Sequence, residues 1–383
     1  MSAARPPAAF AAALASFDLM TMHRLAALLR HHAPDRAWAV AAGHEPPVAG
    51  SAVAKVLEVE RVRTAWRRSA ERIDPDRVWA RCAELGLQVL LAGDLAYPAL
   101  LFAEPHPPPV LFARGDLSVL GGRRVAVVGT RNATAAGRHL ARSFGRGLAA
   151  AGVHVVSGLA RGIDGQAHAG TLEAVGAAAG NPVGRPLAVV ASGHDVVYPR
   201  EHRDLWRQVG EHGLLLSEWP PGASPLAHRF PQRNRLVAAL SEIVVVVESR
   251  ETGGSLITAQ LAAERGVPVM AVPGSALSRA ANGVNALLRD GSAPALDVDD
   301  VLVALGLDHR RLRAPVDDSR VRPRADDLAV YRVCARRAST VGEVADELGV
   351  PVVDAAMSLA RLEQQGWLAQ VEGWFEVSGS PFS

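Results

Sequence analysis

The sequence predicts an α/β protein built on a doubly wound, mostly parallel sheet, with a small helical domain ahead of it and a winged-helix domain behind it. Three observations lead there. Val125 to Ala169 reads as strand, helix, strand and helix start: the apolar runs Val125–Val128 and Val153–Val156 flank a helix-length segment from Ala135 to Ala151. The same alternation returns three more times before residue 290. The last sixty or so residues then switch to three short helical periods and a hairpin pattern.

Taken in order, residues 1–90 read as a helical domain of the SAM or helix-hairpin kind. Leu25, Leu28 and Leu29 share a helical face, and Asp74-Pro75 opens a helix by the N-cap and N1 rule, with Gly86 near its end. Gly86 to Gly93 reads as a strand, and the proline cluster Pro105–Pro109 as a rigid connection. Leu187–Ala191 is the next strand after the first βαβ unit; it ends in Ser192-Gly193-His194, and Arg200 and Arg203 open the following helix. Leu214–Leu216 leads into Ser217-Glu218-Trp219-Pro220, and a proline-rich loop carries His228 to Arg235. Ile243–Val247 is strongly β-branched and runs through Glu248 to Gly253-Gly254-Ser255 and a helix containing Thr258. Val267–Val272 is the last clear strand, and Asn282 opens another helix. This sheet domain is expected to span residues 91–305.

Residues 306–325 are charged and without apolar period, so a linker is expected. Residues 326–379 follow as helices near Asp327–Arg336, Val341–Leu348 and Val352–Gln365, then strands Trp367–Val371 and Trp374–Val377 around Glu372-Gly373. Three helices and a hairpin make a winged helix. Its third helix offers Asp354, Ser358, Arg361, Glu363, Gln364 and Gln365 as outward candidates, a set with more acid than base that would repel phosphates. Protein contact or self-association is expected of it instead of duplex reading.

The chemistry concentrates where strands give way to helices. Gly129, Thr130 and Arg131 follow the first central strand, and Ser157, Gly158, Arg161, Gly162 and Asp164 follow the second. In an open parallel sheet these loops hold ligands at strand carboxyl ends, where helix N-termini offer unpaired N–H groups to anions. A dinucleotide site is disfavoured, because the G-x-G-x-x-G fingerprint is missing and no acidic residue ends the second strand. Arg203 and the Gly254-Ser255 helix start extend the row. Several phosphate cups with interspersed arginines suit a nucleic-acid backbone, whereas a mononucleotide needs one.

Seven segments in order, VGTR, SGLARGIDGQAH, YPRE, LLSEWPPG, FPQRNRLVAALS, GGSLITAQLA and PGS with NGVNALL, resemble the signatures of the DprA/Smf family of DNA-processing proteins over roughly Tyr97 to Gly291. The resemblance implies an extended Rossmann-like fold that binds single-stranded DNA, protects incoming DNA, forms a homodimer and loads the RecA recombinase during natural transformation. It assigns Gly129, Thr130 and Arg131 to the main phosphate pocket, with Ser157, Gly158, Arg161 and Gly162 beside it. Arg200 would face DNA, and Arg233, Asn234 and Arg235 would complete a positive rim. Two positions depart from the family: His202 stands where asparagine is frequent, and Ser292 where alanine usually follows the late glycine.

Each of these residues also has a plain structural reading. Arg131 can cap or salt-bridge, Asp164 can favour a helix dipole, His168 can pack in the core, the arginines of HRFPQRNR can form a solvated charge run, and Glu248 can pair with an arginine nearby. Composition bounds the rest. The chain has 383 residues, 49% of them hydrophobic, and a formal charge of only +2, so any DNA site must come from local clustering. Lys55 is the only lysine. Cys82 and Cys334 are too few for a disulfide framework or zinc site, no run approaches the ~20 apolar residues of a membrane span, and PPAAFAAALASF lacks the basic start of a signal peptide. A cytoplasmic protein with no metal or cofactor is expected. The nearest catalytic alternative is a nucleotide-binding hydrolase of the lysine-decarboxylase-like Rossmann group; loosely aligned on Gly253-Gly254, the chain has Gln260 where that group has its glutamate. A binding protein is therefore expected, not an enzyme.

Overall fold

The computed structural model describes residues 5–178, 180–307, 323–371 and 373–377. They fall into two compact units, Met1–Leu312 and Arg313–Ser383. Of the expected linker, residues 308–322 lie outside the described residues, and Ala325 already opens a helix.

The first unit is organised by nine strands: β1 Gln88–Leu91, β2 Val110–Gly115, β3 Arg124–Gly129, β4 His154–Ser157, β5 Pro186–Val190, β6 Leu214–Ser217, β7 Ile243–Glu248, β8 Val269–Ala271 and β9 Ala293–Pro294. Their spatial order is β1-β2-β6-β5-β4-β3-β7-β8-β9. From β6 across to β9 every neighbour is parallel, whereas β2 pairs antiparallel with both β1 and β6. The chain winds outward from β3 through β4, β5 and β6, then returns to the other side of β3 for β7 and β8. The helices that follow β3 and β7 therefore pack on opposite faces of the sheet.

The continuous apolar strands follow from burial on both faces. Ala126, Val128, Val244 and Val246 point into one core with Leu236 of the Arg229–Ala239 helix, Leu240 at its C-cap and Ala259 of the Gly254–Ala263 helix. Val125, Val127, Val245 and Val247 point into the other, against Phe144 and Leu148 of the Ala135–Ala150 helix and Ala167 of the Ile163–Ala177 helix.

Six helices precede the sheet: Pro7–Ala15, Met22–His31, Pro34–Ala42, Ala52–Glu58, Glu60–Arg72 and Pro75–Glu84. Asp74 caps the last by accepting the Asp76 N–H at 2.9 Å. Their core gathers Leu14, Leu25, Leu28 and Trp66 and continues into Val89 of β1 and Phe112 of β2. This helical layer thus seals one side of the antiparallel strands, and β1 straddles the division expected at residue 90. No described helix is long and apolar enough to cross a membrane.

The second unit has helices Ala325–Arg336, Val341–Leu348 and Val352–Gln364 and the antiparallel pair β10 Leu368–Val371 and β11 Trp374–Val377. A Thr340–Glu343 capping box starts its middle helix, and Gly349 ends it in the left-handed conformation. Two residues expected to face outward do not. Ser358 is buried, and Arg361 donates to the buried Asp327 carboxylate at 2.6 Å, because a carboxylate inside a small core requires a cationic partner. The exposed part of the third helix keeps Asp354 and Glu363 with Val352, Val353 and Met357.

Candidate nucleic-acid interface

The loop after β3 is held from behind. Thr130 donates its N–H to the Glu248 carbonyl at 2.7 Å, and the Thr134 N–H reaches the Glu248 carboxylate at 2.8 Å. Thr134 in turn accepts the Gly137 N–H at 3.0 Å and caps the Ala135–Ala150 helix. Glu248 therefore fixes this loop and pairs with no arginine among the described residues. Thr130 spends its hydroxyl on the Asn132 N–H at 3.3 Å. Arg131 is left at the exposed apex without an ion-pair partner among the described residues, its guanidinium 4.8 Å from the centroid of the Phe230 ring. That distance is within cation–π range, so the ring orients the charge without neutralising it.

The loop after β4 is knitted to the first. Ser157 is buried and donates to the Val127 carbonyl at 2.7 Å. The Asp164 carboxylate accepts the Gly158 N–H at 3.1 Å, together with N–H groups of Ala160 and Gly129. Gly162 has φ +74 and lies so close to the Thr130 carbonyl that a Cβ there would stand 2.3 Å from it, so only glycine fits. These contacts correct the expected assignment: the Gly129 and Gly158 amides serve Asp164, and Ser157 serves the sheet. What the loop offers outward is the Arg161 side chain.

The Arg229–Ala239 helix carries the largest correction. The sequence reads His228–Arg235 as a proline-rich loop, but Pro231 falls in the first turn, where its missing N–H costs nothing. Helical spacing then puts Arg233 on the same face as Leu236, Val237 and Leu240. Arg233 is 4% exposed and donates to the carbonyls of Val189 and, at 2.6 Å, Gly158. Burial pulls its guanidinium down to about 10 against the favourable charge of Asp164, and burial pushes Asp164 up. Arg233 is a strut beneath the loops and not part of a surface rim. Arg235 is mostly covered too; it pairs with buried Glu218 and donates to the His106 carbonyl at 3.0 Å. Asn234 lies between them, with its amide 3.4 Å from the Gly254 carbonyl. Gly254 is exposed at a helix start, whereas Ser255 is buried against Ser249 at 2.9 Å.

In front of this support lies a cavity of about 290 Å³, whose wall includes Arg131, Gly158, Arg161, Tyr198, Pro199 and Phe230. The structure therefore brings Arg131, Gly158 and Arg161 together and adds an aromatic pair absent from the expected site. Tyr198 is 42% exposed, and its ring centroid is 5.4 Å from that of Phe230. The signal for both lay inside recognised motifs, YPRE and FPQRNR, as aromatics next to prolines, one in a turn and one at a helix start. Arg200 and Arg203, in and just after the short helical turn Arg200–His202, are exposed and have no ion-pair partner among the described residues. Arg161 is paired with Glu201 of that turn. His202 faces the other way and meets the Leu159 carbonyl at 3.1 Å.

The two buried histidines nearby, His168 and His194, are neutral packing elements. Burial pushes His168 down to about 3 and His194 down to about 4, the latter against the Phe112 carbonyl at 2.9 Å. Gln260 is exposed and bonds Glu264 at 2.9 Å. Among the described residues no cluster of three or more His, Cys, Asp or Glu is placed to hold a metal ion. The arrangement suits an anionic strand: free guanidinium groups beside an open aromatic wall, on rigid loops.

Comparison with known proteins gives the family. DNA processing protein DprA of Bacillus subtilis is 40% identical over 230 residues, which cover 60% of this chain and 75% of that protein. The crystal structure of DNA processing protein A from Streptococcus pneumoniae superposes with a TM-score of 0.61 at 27% identity, covering 78% of this chain and 98% of that one. A structure of DNA processing protein A from Helicobacter pylori, solved for its single-stranded DNA binding mode, gives a TM-score of 0.51 at 26% identity, covering 58% and 97%. The family model described as DNA recombination-mediator protein A matches residues 88–306, more than half of the sequence, and the chain belongs to that family of DprA/Smf proteins.

Proposed function

We propose that the protein binds single-stranded DNA along the carboxyl edge of its sheet, protects incoming DNA, and loads the RecA recombinase in DNA uptake and recombination. The observation that carries the binding reading is Arg131, held over the Phe230 ring next to Tyr198, with exposed Arg200 and Arg203 in the turn that follows Tyr198; none of the three has an ion-pair partner among the described residues. Arginines of this kind hold phosphates without reading sequence, and exposed rings stack any base, worth about 1–3 kcal/mol per base. The H. pylori relative supports the same ligand for this site. RecA loading, the homodimer and a cytoplasmic location rest on membership of the family.

We read residues 1–90 as the helical domain, 91–305 as the extended Rossmann-like domain and 326–379 as a winged helix joined by a linker. The acidic and apolar face of its third helix favours protein contact over DNA. The protein acts as a stoichiometric binder: Gln260 stands where a related nucleotide hydrolase would need a carboxylate, and it points to solvent.

The test is a fluorescence-anisotropy titration of labelled single-stranded DNA over a salt series, competed with duplex DNA, AMP and NAD. Salt-sensitive binding displaced by unlabelled single strands and not by mononucleotides is expected. Absence of DNA binding together with turnover of a nucleotide would transfer the site to the hydrolase reading.

A further inference from the structure

Among the candidate ligands of the cavity, Arg161 differs from Arg131 in one respect: it already holds an anion. Its guanidinium bonds the Glu201 carboxylate, and the pair bridges the loop after β4 and the turn after β5. Both side chains are open to solvent, 62% and 48% exposed, so the contact is not forced by packing. The bond from Arg161 holds the Glu201 carboxyl below the usual range, so it is charged. Carboxylate and phosphate compete for the same fork of N–H donors on an arginine.

We propose that Glu201 is an internal competitor for the phosphate that Arg161 would otherwise take, and that it sets both the affinity and the salt dependence of strand binding at this edge. The inference rests on the single-stranded DNA reading of the cavity. A strand engages Arg131 first, where no protein anion competes, and a following phosphate then displaces Glu201 from Arg161. A ligand with a single phosphate gains nothing at Arg161 that Glu201 does not already supply. The carboxylate therefore favours ligands that offer phosphates in succession over isolated nucleotides.

Glu201→Gln keeps the shape and removes the charge, and because the side chain is exposed the variant should fold. Binding of labelled oligothymidylate is measured over a salt series for the wild type, Glu201→Gln, Arg161→Ala and the double variant. Glu201→Gln should tighten binding about 2- to 5-fold, the range expected for release of a surface ion pair. It should also steepen the salt slope by up to about 0.7. In the Arg161→Ala background the same substitution should change affinity by less than about 1.5-fold, because the two residues act through each other. Equal tightening in both backgrounds would mean that Glu201 acts through the general field and would overturn the proposal, as would no tightening in the wild-type background. A wild-type protein that binds no single strand would instead overturn the underlying reading of the site.

Discussion

The loop apexes at the carboxyl edge and the Arg229–Ala239 helix beneath them use the same residue for opposite purposes. At the apexes Arg131, Arg200 and Arg203 stand in solvent without ion-pair partners among the described residues. One layer down, Arg233 is enclosed and spends its donors on the carbonyls of Gly158 and Val189, while Arg235 spends its own on Glu218 and His106. Motif proximity alone makes all five look like DNA ligands. Burial and partners divide them into charges left open to solvent and charges that hold the loops in place.

That division gives graded expectations. Arg233→Ala should have the largest effect: it leaves the buried carbonyls of Gly158 and Val189 without their donor and removes the favourable charge felt by Asp164, at about 1–3 kcal/mol for each unmet buried group. Denaturant unfolding should show a lower midpoint, and a variant as stable as the wild type would remove Arg233 from the supporting layer.

The second expectation concerns Glu218. Burial raises its carboxyl to about 7 in the folded protein, against a pull downward from Arg235, while the unfolded chain keeps an ordinary carboxyl near 4.5. The folded state therefore holds the extra proton between those values. Stability from this group is complete below pH ~4.5 and is lost as pH rises towards 7, by about 3 kcal/mol at 1.36 kcal/mol per pKa unit. Unfolding free energies of wild type and Glu218→Gln should run together at low pH, where both side chains are neutral, and separate as the wild type loses stability towards pH 7; parallel curves across that window would contradict it.

Substitutions at the apexes should instead leave unfolding unchanged within about 0.5 kcal/mol, as surface changes do. Arg131→Ala should weaken single-strand binding by roughly 10- to 100-fold, the equivalent of a lost charge-assisted contact. Arg200→Ala and Arg203→Ala, which lack an aromatic ring to orient them, should each cost only about 2- to 5-fold. Anisotropy titrations at fixed salt rank the three, and a reversed order would mean that the Phe230 ring does not prepare Arg131 for the strand.

The central strands were legible because burial on both faces writes them as short β-branched runs, and β3, β4, β5, β6 and β7 lie within a residue or two of expectation. The antiparallel β2 is harder to read, since its apolar run directly follows the proline cluster Pro105–Pro109 and carries no alternation of its own. The Arg229–Ala239 helix was hidden by Pro231, a helix breaker everywhere except in the first turn. Its burial of Arg233 was legible in principle: the 233, 236, 237 and 240 spacing is a helical stripe, and an arginine inside such a stripe must find carbonyls or a carboxylate. The use of the Gly129 and Gly158 amides by Asp164 had no sequence signal, because a backbone donor looks alike whether its acceptor is a phosphate or a side chain. The open Tyr198–Phe230 pair joins residues thirty-two positions apart in sequence and could emerge only from the fold.

The salt dependence of single-strand binding tests the division between free and structural arginines most directly. With Arg131, Arg200 and Arg203 replaced together by alanine, the slope of log affinity against log salt should fall by about 2, three phosphates at ~0.7 each. A folded triple variant with the wild-type slope would show that the strand's phosphates are held elsewhere.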